Sequence, residues 1–123
     1  MKVSEVMNRN VVTCHPMEKL AVILNKLELF HIAGMPVVEK SLLVGMISQT
    51  DILRGLKSGT LQDLSVQDVM TKEVVAVQST ELAVTVAKIM IERGINRVPV
   101  VDNDRIVGIV TRGDLIKAAA ECE

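Results

Sequence analysis

The chain has 123 residues, of which 49% are apolar, a mean hydropathy of +0.36 and a formal net charge of −1. No run of Lys and Arg offers the basic surface that duplex DNA or RNA requires, and charged residues interrupt the most apolar window, residues 20–38. The first residues lack the apolar stretch of a secretory signal, and neither Cys14 nor Cys122 stands in a CxxC pair or a disulfide-scaffold pattern. We therefore expect a soluble cytoplasmic protein that binds neither nucleic acid nor membrane.

The hydrophobic core has to be aliphatic, because Phe30 is the one aromatic residue of the sequence. The length suits a single domain, so half of the chain alone would be a marginal folder. Charged residues make up only 24% of the chain, which is few for a protein in which 49% of the residues are apolar. This balance predicts that some apolar surface is buried against a second subunit, in a homodimer.

The sequence contains an internal repeat at a fixed offset of 63 residues, as Met70 minus Met7 and Gly108 minus Gly45 illustrate. Residues 3–54 align with residues 66–117 without a gap, and 13 of these 52 pairs are identical. The repeat predicts two similar units, residues 1–62 and 63–123, that are related by a pseudo-twofold axis and together form one module.

In chain order, each repeat begins with a short helical turn, at residues 3–7 and 66–70, followed by a Val-Val step that predicts a strand at residues 11–12 and 74–75. A helix comes next, because apolar residues recur at the i, i+3, i+4, i+7 spacing. These residues are Leu20, Ile23, Leu24 and Leu27 in the first repeat, and Ala83, Val86, Ala87 and Met90 in the second.

Two β-rich runs follow each of these helices, at residues 35–38 and 42–48 and at residues 98–101 and 105–111. The residues between them, 39–41 and 102–104, have the composition of hairpin turns. A last helix is predicted from residue 50 to about 57 and from residue 113 to about 120. The fold class is therefore α/β, of the α+β type, with two β-α-β-β-α repeats packed sheet to sheet.

A hydroxyl residue and a carboxylate stand three positions apart where the last strand of each repeat enters the last helix. The pairs are Ser48 with Asp51 and Thr111 with Asp114. One interpretation is a capping box that stabilises the helix start. The other is a ligand site, where the helix start binds a phosphate and the carboxylate accepts hydrogen bonds from two ribose hydroxyls. Both can hold at once.

The wider pattern around these pairs resembles the CBS domain, in the tandem arrangement called a Bateman module. It consists of a hydrophobic-x-x-x-Pro-Val-Val run at residues 32–38 and 95–101, a Val-Gly pair at residues 44–45 and 107–108, and then [ST]-x-x-Asp. The resemblance implies regulatory binding of AMP, ADP, ATP or S-adenosylmethionine in two clefts between the repeats. It implies no catalysis, no required cofactor, and output through an effector protein that the sequence does not identify.

The resemblance also implies a role for individual residues. Asp51 and Asp114 would bind ribose, and Ser48 and Thr111 would contact ribose or phosphate. The remaining contacts would be made through backbone groups and aliphatic side chains, by Thr13, His15, Pro16, Met35, Pro36, Val37, Thr50, Val98, Pro99 and Val100, and by residues 76–79. Because Trp and Tyr are absent, adenine would lie between aliphatic side chains such as Met35, Ile47, Val98 or Val110.

The two predicted sites differ in charge. The second repeat has Arg97 and Arg112 where the first has Gly34 and Gln49. These cations predict that a polyphosphate binds preferentially at the second repeat. The alternative is that both arginines are ordinary solvated surface charges.

The sequence admits two other classes of function. In the first, the chain is a structural assembly module, both [ST]-x-x-Asp pairs are caps and no ligand binds. The second is an enzyme, which the sequence disfavours because it offers no matched nucleophile, base or metal cluster. Cys14 and His15 are adjacent, but two ligands are too few for a metal site.

Overall fold

The computed structural model describes residues 1–121, so Cys122 lies outside the described residues. In chain order its elements are α1 (Val3–Val6), α2 (Leu20–Phe30), β1 (Gly34–Glu39), β2 (Leu42–Ser48), α3 (Gln49–Gly55), α4 (Val66–Val69), α5 (Ala83–Arg93), β3 (Arg97–Asp102), β4 (Arg105–Thr111) and α6 (Arg112–Glu121). No helix in residues 1–121 is long and apolar enough to span a membrane.

These elements form two compact units. Residues 12–74 form the central unit, whereas residues 1–11 and the chain from residue 75 onward form the terminal unit. Each unit contains one antiparallel hairpin, β1 with β2 or β3 with β4, together with three helices. The mixed α/β fold class predicted from the sequence is confirmed.

The two long helices have the buried faces that the apolar spacing predicted. Leu20, Ile23 and Leu27 of α2 are buried in the central unit, and Val86 and Met90 of α5 are buried in the terminal unit. Each set packs with its own hairpin in one aliphatic cluster. Burial of these side chains on one face contributes the main favourable free energy of each unit.

The helix ends use different residues for the same conformation. Gly94 ends α5 with φ of 64°, and His31 ends α2 with φ of 53°, so both lie in the left-handed region. Glycine adopts this region without steric cost, whereas histidine does not. The repeated fold therefore imposes a backbone conformation on His31 that the residue itself disfavours.

The hairpin turns are confirmed and contain two residues each. Lys40 and Ser41 have positive φ in the central unit, as do Asn103 and Asp104 in the terminal unit. Two successive positive φ values are the signature of the tight turns that match the twist of paired strands. Asn and Asp adopt this conformation more readily than Lys and Ser.

The strands predicted at residues 11–12 and 74–75 are wrong in position and extent. Each is a single parallel bridge further along the chain, Cys14 to Val37 and Val77 to Val100. Proline limits the pairing around the Cys14–Val37 bridge. Pro36 has no N–H to continue the ladder before the bridge, and Pro16 has none to continue it after the bridge. In the terminal unit Pro99 blocks one side in the same way.

Both hairpins contain the same bulge. The register shifts between Val37 and Val38 in the β1–β2 hairpin, and between Val100 and Val101 in the β3–β4 hairpin. The extra residue on the facing strand is Val44 or Val107, each directly before a glycine. The identity of these Val-Gly pairs in the two repeats therefore follows from a shared backbone irregularity.

The glycine after each bulge is where another segment crosses the hairpin. A Cβ atom at Gly45 would lie 2.8 Å from Met70 Sδ and 3.0 Å from the Thr71 carbonyl oxygen. At Gly108 it would lie 2.5 Å from Met7 Sδ. The segment after α4 thus packs on β2 in the central unit, and the segment after α1 packs on β4 in the terminal unit.

We expect Gly45→Ala and Gly108→Ala each to lower the free energy of unfolding by about 1–3 kcal/mol, because the new methyl group overpacks the crossing. Urea denaturation measures the change. Gly113→Ala is the matched control, since the nearest atom to its Cβ position is 3.8 Å away. Equal stability of all three variants would contradict the role given to the crossing.

Candidate functional site

The central unit contains a complete cap at the start of α3. The Ser48 backbone N–H donates to Asp51 Oδ2 at 2.9 Å, and the Ser48 hydroxyl donates to the same oxygen at 3.1 Å. The Asp51 N–H in turn donates to Ser48 Oγ at 3.4 Å. The capping interpretation of this pair is therefore correct, and Asp51 is 5% exposed.

The second oxygen of Asp51 is engaged as well. Its Oδ1 accepts from the Thr71 hydroxyl at 3.5 Å and lies 3.6 Å from Arg54 Nη2. The Thr71 backbone is fixed beside β2, because Thr71 and Met46 exchange two hydrogen bonds of 2.9 Å. Both oxygens of the Asp51 carboxylate therefore have partners inside the central unit.

The corresponding cap at α6 is less enclosed. The Thr111 N–H donates to Asp114 Oδ2 at 2.8 Å, and the Asp114 N–H donates to Thr111 Oγ1 at 3.2 Å. Asp114 is half-buried, and within residues 1–121 no Lys or Arg nitrogen lies within 4 Å of its carboxylate. One oxygen of Asp114 thus remains available to a hydrogen-bond donor.

Arg97 lies beside this cap, because it pairs with Thr111 across the β3–β4 hairpin. Its guanidinium is half-buried and, in the described chain, forms no ion pair. Burial lowers the pKa of Arg97, since removal from water disfavours the charged form. Arg112, by contrast, is exposed, so the two arginines predicted to bind phosphate occupy different environments.

The predicted adenine-lining residues lie mostly in the cores. The side chains of Met35, Val37, Val98 and Val100 are at most 1% exposed and belong to the aliphatic clusters. Ile47 and Val110, named for the same role, are equally buried. The prediction names both backbone groups and aliphatic side chains as adenine contacts. Because these side chains pack in the cores, the backbone groups are the part of the segments nearer the surface of each unit.

The prolines of these segments are also buried, and their carbonyls are used. Pro36 accepts a hydrogen bond of 3.1 Å from the Cys14 N–H, and Pro99 accepts the equivalent bond from Val77. Thr50, a further predicted contact, is exposed at the start of α3. These bonds fix the backbone of both lining segments.

A partly buried ion pair, between Lys26 and Glu18, holds the loop that contains Thr13, His15 and Pro16. Lys26 Nζ lies 2.9 Å from Glu18 Oε2 and donates to the Thr13 carbonyl at 3.1 Å. Glu18 also accepts from the His15 N–H at 2.9 Å. His15 itself is exposed, with its Nε2 3.9 Å from Glu39 Oε2, whereas Pro16 is buried.

In the terminal unit a different contact fixes the equivalent loop. Ser79 donates its hydroxyl to Asp102 Oδ2 at 2.7 Å and its N–H to Oδ1 at 3.2 Å. These two hydrogen bonds hold the pKa of Asp102 below its ordinary value. Ser79 occupies the repeat position of Pro16, and Asp102 that of Glu39.

This contact predicts a pH-dependent stability. The pKa of Asp102 is lower in the folded state than in the unfolded state. Its stabilising contribution to the free energy of unfolding is therefore complete above the unfolded-state pKa of about 3.9, and it disappears as pH falls through the folded-state pKa. Asp102→Ala should therefore lower the free energy of unfolding at pH 7 and lose this effect in strong acid. Urea denaturation across this range tests it, with Asp63→Ala as the exposed-carboxylate control. A difference that does not change with pH would contradict the prediction.

Two open depressions lie in the terminal unit. One of about 230 Å³ has a charged lining of Glu5, Asp114, Lys117 and Glu121 beside Met1, Val6 and Ala118. The other, of about 270 Å³, is apolar and is lined by Met1, Ala83, Val84, Ala87, Leu115, Ala118 and Ala119. Each is smaller than the usual volume of a small-molecule site.

At the equivalent place in the central unit α3 and α4 pack closely. A Cβ atom at Gly55 would lie 2.6 Å from Val69 Cγ1, whereas the terminal unit has Ala118 at this position. Leu61 and Leu64 also pack against the central core. The surroundings of Asp51 are therefore closed where those of Asp114 are open.

Cys14 is structural in character. Its thiol is 3% exposed, and burial raises its pKa to about 12, with the charge of Glu18 acting in the same direction. A thiol of this kind is neutral and unreactive at neutral pH. Within residues 1–121 no three His, Cys, Asp or Glu side chains gather as a metal site would require.

The sequence does not indicate the partners of Asp51. Arg54 and Thr71 contact Asp51, but their importance depends on the crossing of the segment after α4 over β2. The repeat alignment offered one signal, since it places Lys117 and Asn8 at the corresponding positions.

Comparison with known proteins agrees with these features. The family model of the CBS domain matches residues 3–58 and 66–121. An inosine-5′-monophosphate dehydrogenase of Methanocaldococcus jannaschii is 32% identical over 118 residues, which cover 94% of this chain and 23% of that enzyme. Across this and two further relatives from that organism, the chain spans between 23% and 41% of the relative's length.

Solved structures have the same fold. The CBS domain pair of protein MJ0100, in complex with 5′-methylthioadenosine and S-adenosyl-L-methionine, has a TM-score of 0.88 at 27% identity and covers 100% of this chain and 98% of its own. CBSX2 in complex with AMP has a TM-score of 0.88 at 25% identity, with coverage of 98% and 97%.

Proposed function

The chain belongs to the CBS-domain family as a tandem pair, and on that premise we propose that it is a regulatory module for an adenosine-containing ligand. Candidate ligands are AMP, ADP, ATP and S-adenosylmethionine, and the proposal includes neither catalysis nor a required cofactor. The two sequence repeats, residues 1–62 and 63–123, would act together.

The available oxygen of Asp114 is the observation that carries the proposal. A ribose presents two neighbouring hydroxyl donors, and a carboxylate can accept both. Asp114 uses Oδ2 for its own cap and has Oδ1 open at a half-buried position. Two structures with the same fold at 25–27% identity were solved with adenosine derivatives, which supports this ligand class.

Arg97 supports a phosphate-bearing ligand. A half-buried guanidinium that no carboxylate neutralises within residues 1–121 gains more from an anion than a solvated one does. Its strand position opposite Thr111 places it beside the Asp114 cap. We therefore propose Asp114, Thr111 and Arg97 as the principal binding residues, with AMP or ATP preferred over ligands without phosphate.

Ligand binding is directly measurable, because the chain contains neither Trp nor Tyr and has little absorbance of its own near 260 nm. Equilibrium dialysis with AMP, ATP, S-adenosylmethionine and 5′-methylthioadenosine gives the affinity of each. A ligand at 100 times its Kd should stabilise the protein by about 2.7 kcal/mol in a thermal melt. If none of the four binds or shifts the melt, the proposal fails and the structural-module alternative is favoured.

Three substitutions test the assignment of the binding residues. Asp114→Ala should weaken AMP binding by roughly tenfold to a hundredfold, because a hydrogen bond to a charged group contributes about 1.5–3 kcal/mol. Asp51→Ala should weaken it less. Arg97→Ala should reduce affinity for AMP but leave affinity for 5′-methylthioadenosine, which lacks phosphate, nearly unchanged.

Arg112 remains the second predicted phosphate contact, and Arg112→Ala should lower the affinity for AMP less than Arg97→Ala does, because an exposed charge is screened by solvent. Loss of a cap alone would lower stability by about 0.5–2 kcal/mol in both aspartate variants without changing ligand affinity. A larger loss of affinity from Asp51→Ala would contradict the assignment to Asp114.

We also propose a homodimer that acts on an effector protein in the cytoplasm. Large apolar side chains are exposed on the helices of the terminal unit, with Ile91 at 82%, Ile116 at 63% and Val84 at 55%. They lie on the same two helices that border the apolar depression. Such surface is typical of a protein-protein interface.

The dimer prediction is checked by sedimentation equilibrium. The expected mass is twice 13.4 kDa, and Ile91→Lys with Ile116→Lys should shift it to the monomer because charges are costly in an apolar interface. A mass of 13.4 kDa for the unaltered protein at high concentration would contradict the proposal.

A further inference from the structure

The two cap carboxylates differ in how many of their acceptor positions are used. Asp51 Oδ2 accepts from the Ser48 N–H and hydroxyl, while Oδ1 contacts the Thr71 hydroxyl and the Arg54 guanidinium. The side chain of Asp51 is 6% exposed, so the carboxylate itself has little contact with water. Each of its two oxygens already has partners in the central unit.

The partners of Asp51 are specific to the central unit. In the other repeat Lys117 stands at the position of Arg54, and Asn8 at that of Thr71. Within residues 1–121 neither of these two contacts the Asp114 carboxylate within hydrogen-bond or ion-pair distance. An ammonium also lacks the planar fork that suits arginine to carboxylate oxygens.

A ligand that uses Asp51 has to compete with groups already present. Two ribose hydroxyls need acceptor positions on the carboxylate, and the outward oxygen is held by Thr71 and Arg54. The Thr71 backbone is bonded to Met46 and cannot withdraw, so the hydroxyl has to rotate away. The Arg54 side chain is 66% exposed and can leave into solvent.

We propose that Arg54 and Thr71 form a latch on Asp51, which weakens ligand binding at the first repeat and causes ligand to occupy the Asp114 site first. This inference rests on the proposed function and adds how the two sites are ranked. The latch is weak enough to open, because an exposed ion pair and one long hydrogen bond each contribute little. The chain therefore responds to low ligand concentration at one site and to higher concentration at the other.

The test isolates each site and uses 5′-methylthioadenosine as the probe, because this ligand has the ribose diol but no phosphate for Arg54 to attract. In an Asp114→Ala background the remaining site is that of Asp51. Adding Arg54→Ala and Thr71→Val there should raise affinity by roughly tenfold, since both competing partners are removed. Equilibrium dialysis read at 260 nm gives the Kd.

The matched control uses the Asp51→Ala background, in which Lys117→Ala and Asn8→Ala should leave the Kd of the Asp114 site within about twofold. The reciprocal change, Lys117→Arg with Asn8→Thr, should weaken that site if it rebuilds the latch. Arg54 and Thr71 are both exposed, so their variants should fold, and a melt without ligand verifies this.

The outcomes separate the latch from the proposed function. If the unaltered protein binds the probe through Asp114 while the latch variants leave the Asp51 site unchanged or weaker, the latch is overturned and the proposed function stands. If neither the unaltered protein nor any variant binds an adenosine ligand, the latch and the proposed function are both overturned. A gain at the Asp51 site without a gain in the control supports the latch.

Discussion

The crossing of a chain segment over each hairpin, at the glycine after the bulge, is the constraint on which the rest of the structure depends. At Gly45 and Gly108 a chain segment crosses the hairpin so tightly that a methyl group would collide with a methionine sulfur. The crossing segment comes from the start of the opposite sequence repeat, because residues 66–74 belong to the central unit and residues 1–11 to the terminal unit. The repeats therefore exchange their first segments, and neither sequence repeat coincides with a compact unit.

This exchange places polar side chains from the opposite sequence repeat beside the caps. Thr71 follows Met70 directly, so the packing of Met70 on Gly45 brings the Thr71 hydroxyl to Asp51. In the terminal unit the same geometry brings Asn8, which makes no equivalent contact within the described residues. A fold element shared by both repeats thus creates different surroundings for two aspartates that the sequence pattern treats as equals.

Local sequence patterns predicted much of the fold. The apolar spacing of α2 and α5, the turn residues of both hairpins and the caps at Ser48 and Thr111 are all properties of neighbouring residues, and each matches the structure. The misplaced first strands and the contacts of Asp51 depend on which distant segments meet. Sequence spacing carries little information about such pairings, because a one-residue change of register reverses the face of every side chain.

The candidate site was predicted in outline and not in detail. The positions of Asp51 and Asp114 followed from the pattern, but their unequal environments follow from Arg54, Gly55 and Thr71, which the pattern leaves unspecified. For residues such as Met35 and Val98 the pattern does not distinguish a ligand contact from a core residue, because an aliphatic side chain in a short strand suits both roles.

The prolines that shorten the first strand of each repeat have a consequence for the behaviour of the protein in solution. In the described part of the chain, the outer edge of β1 pairs with Cys14 alone, and Pro36 presents no N–H there to a strand of another molecule. Exposed strand edges that can extend a ladder are common starting points for aggregation. In a chain that is 49% apolar, the repeated prolines thus protect the margins of both hairpins against strand addition.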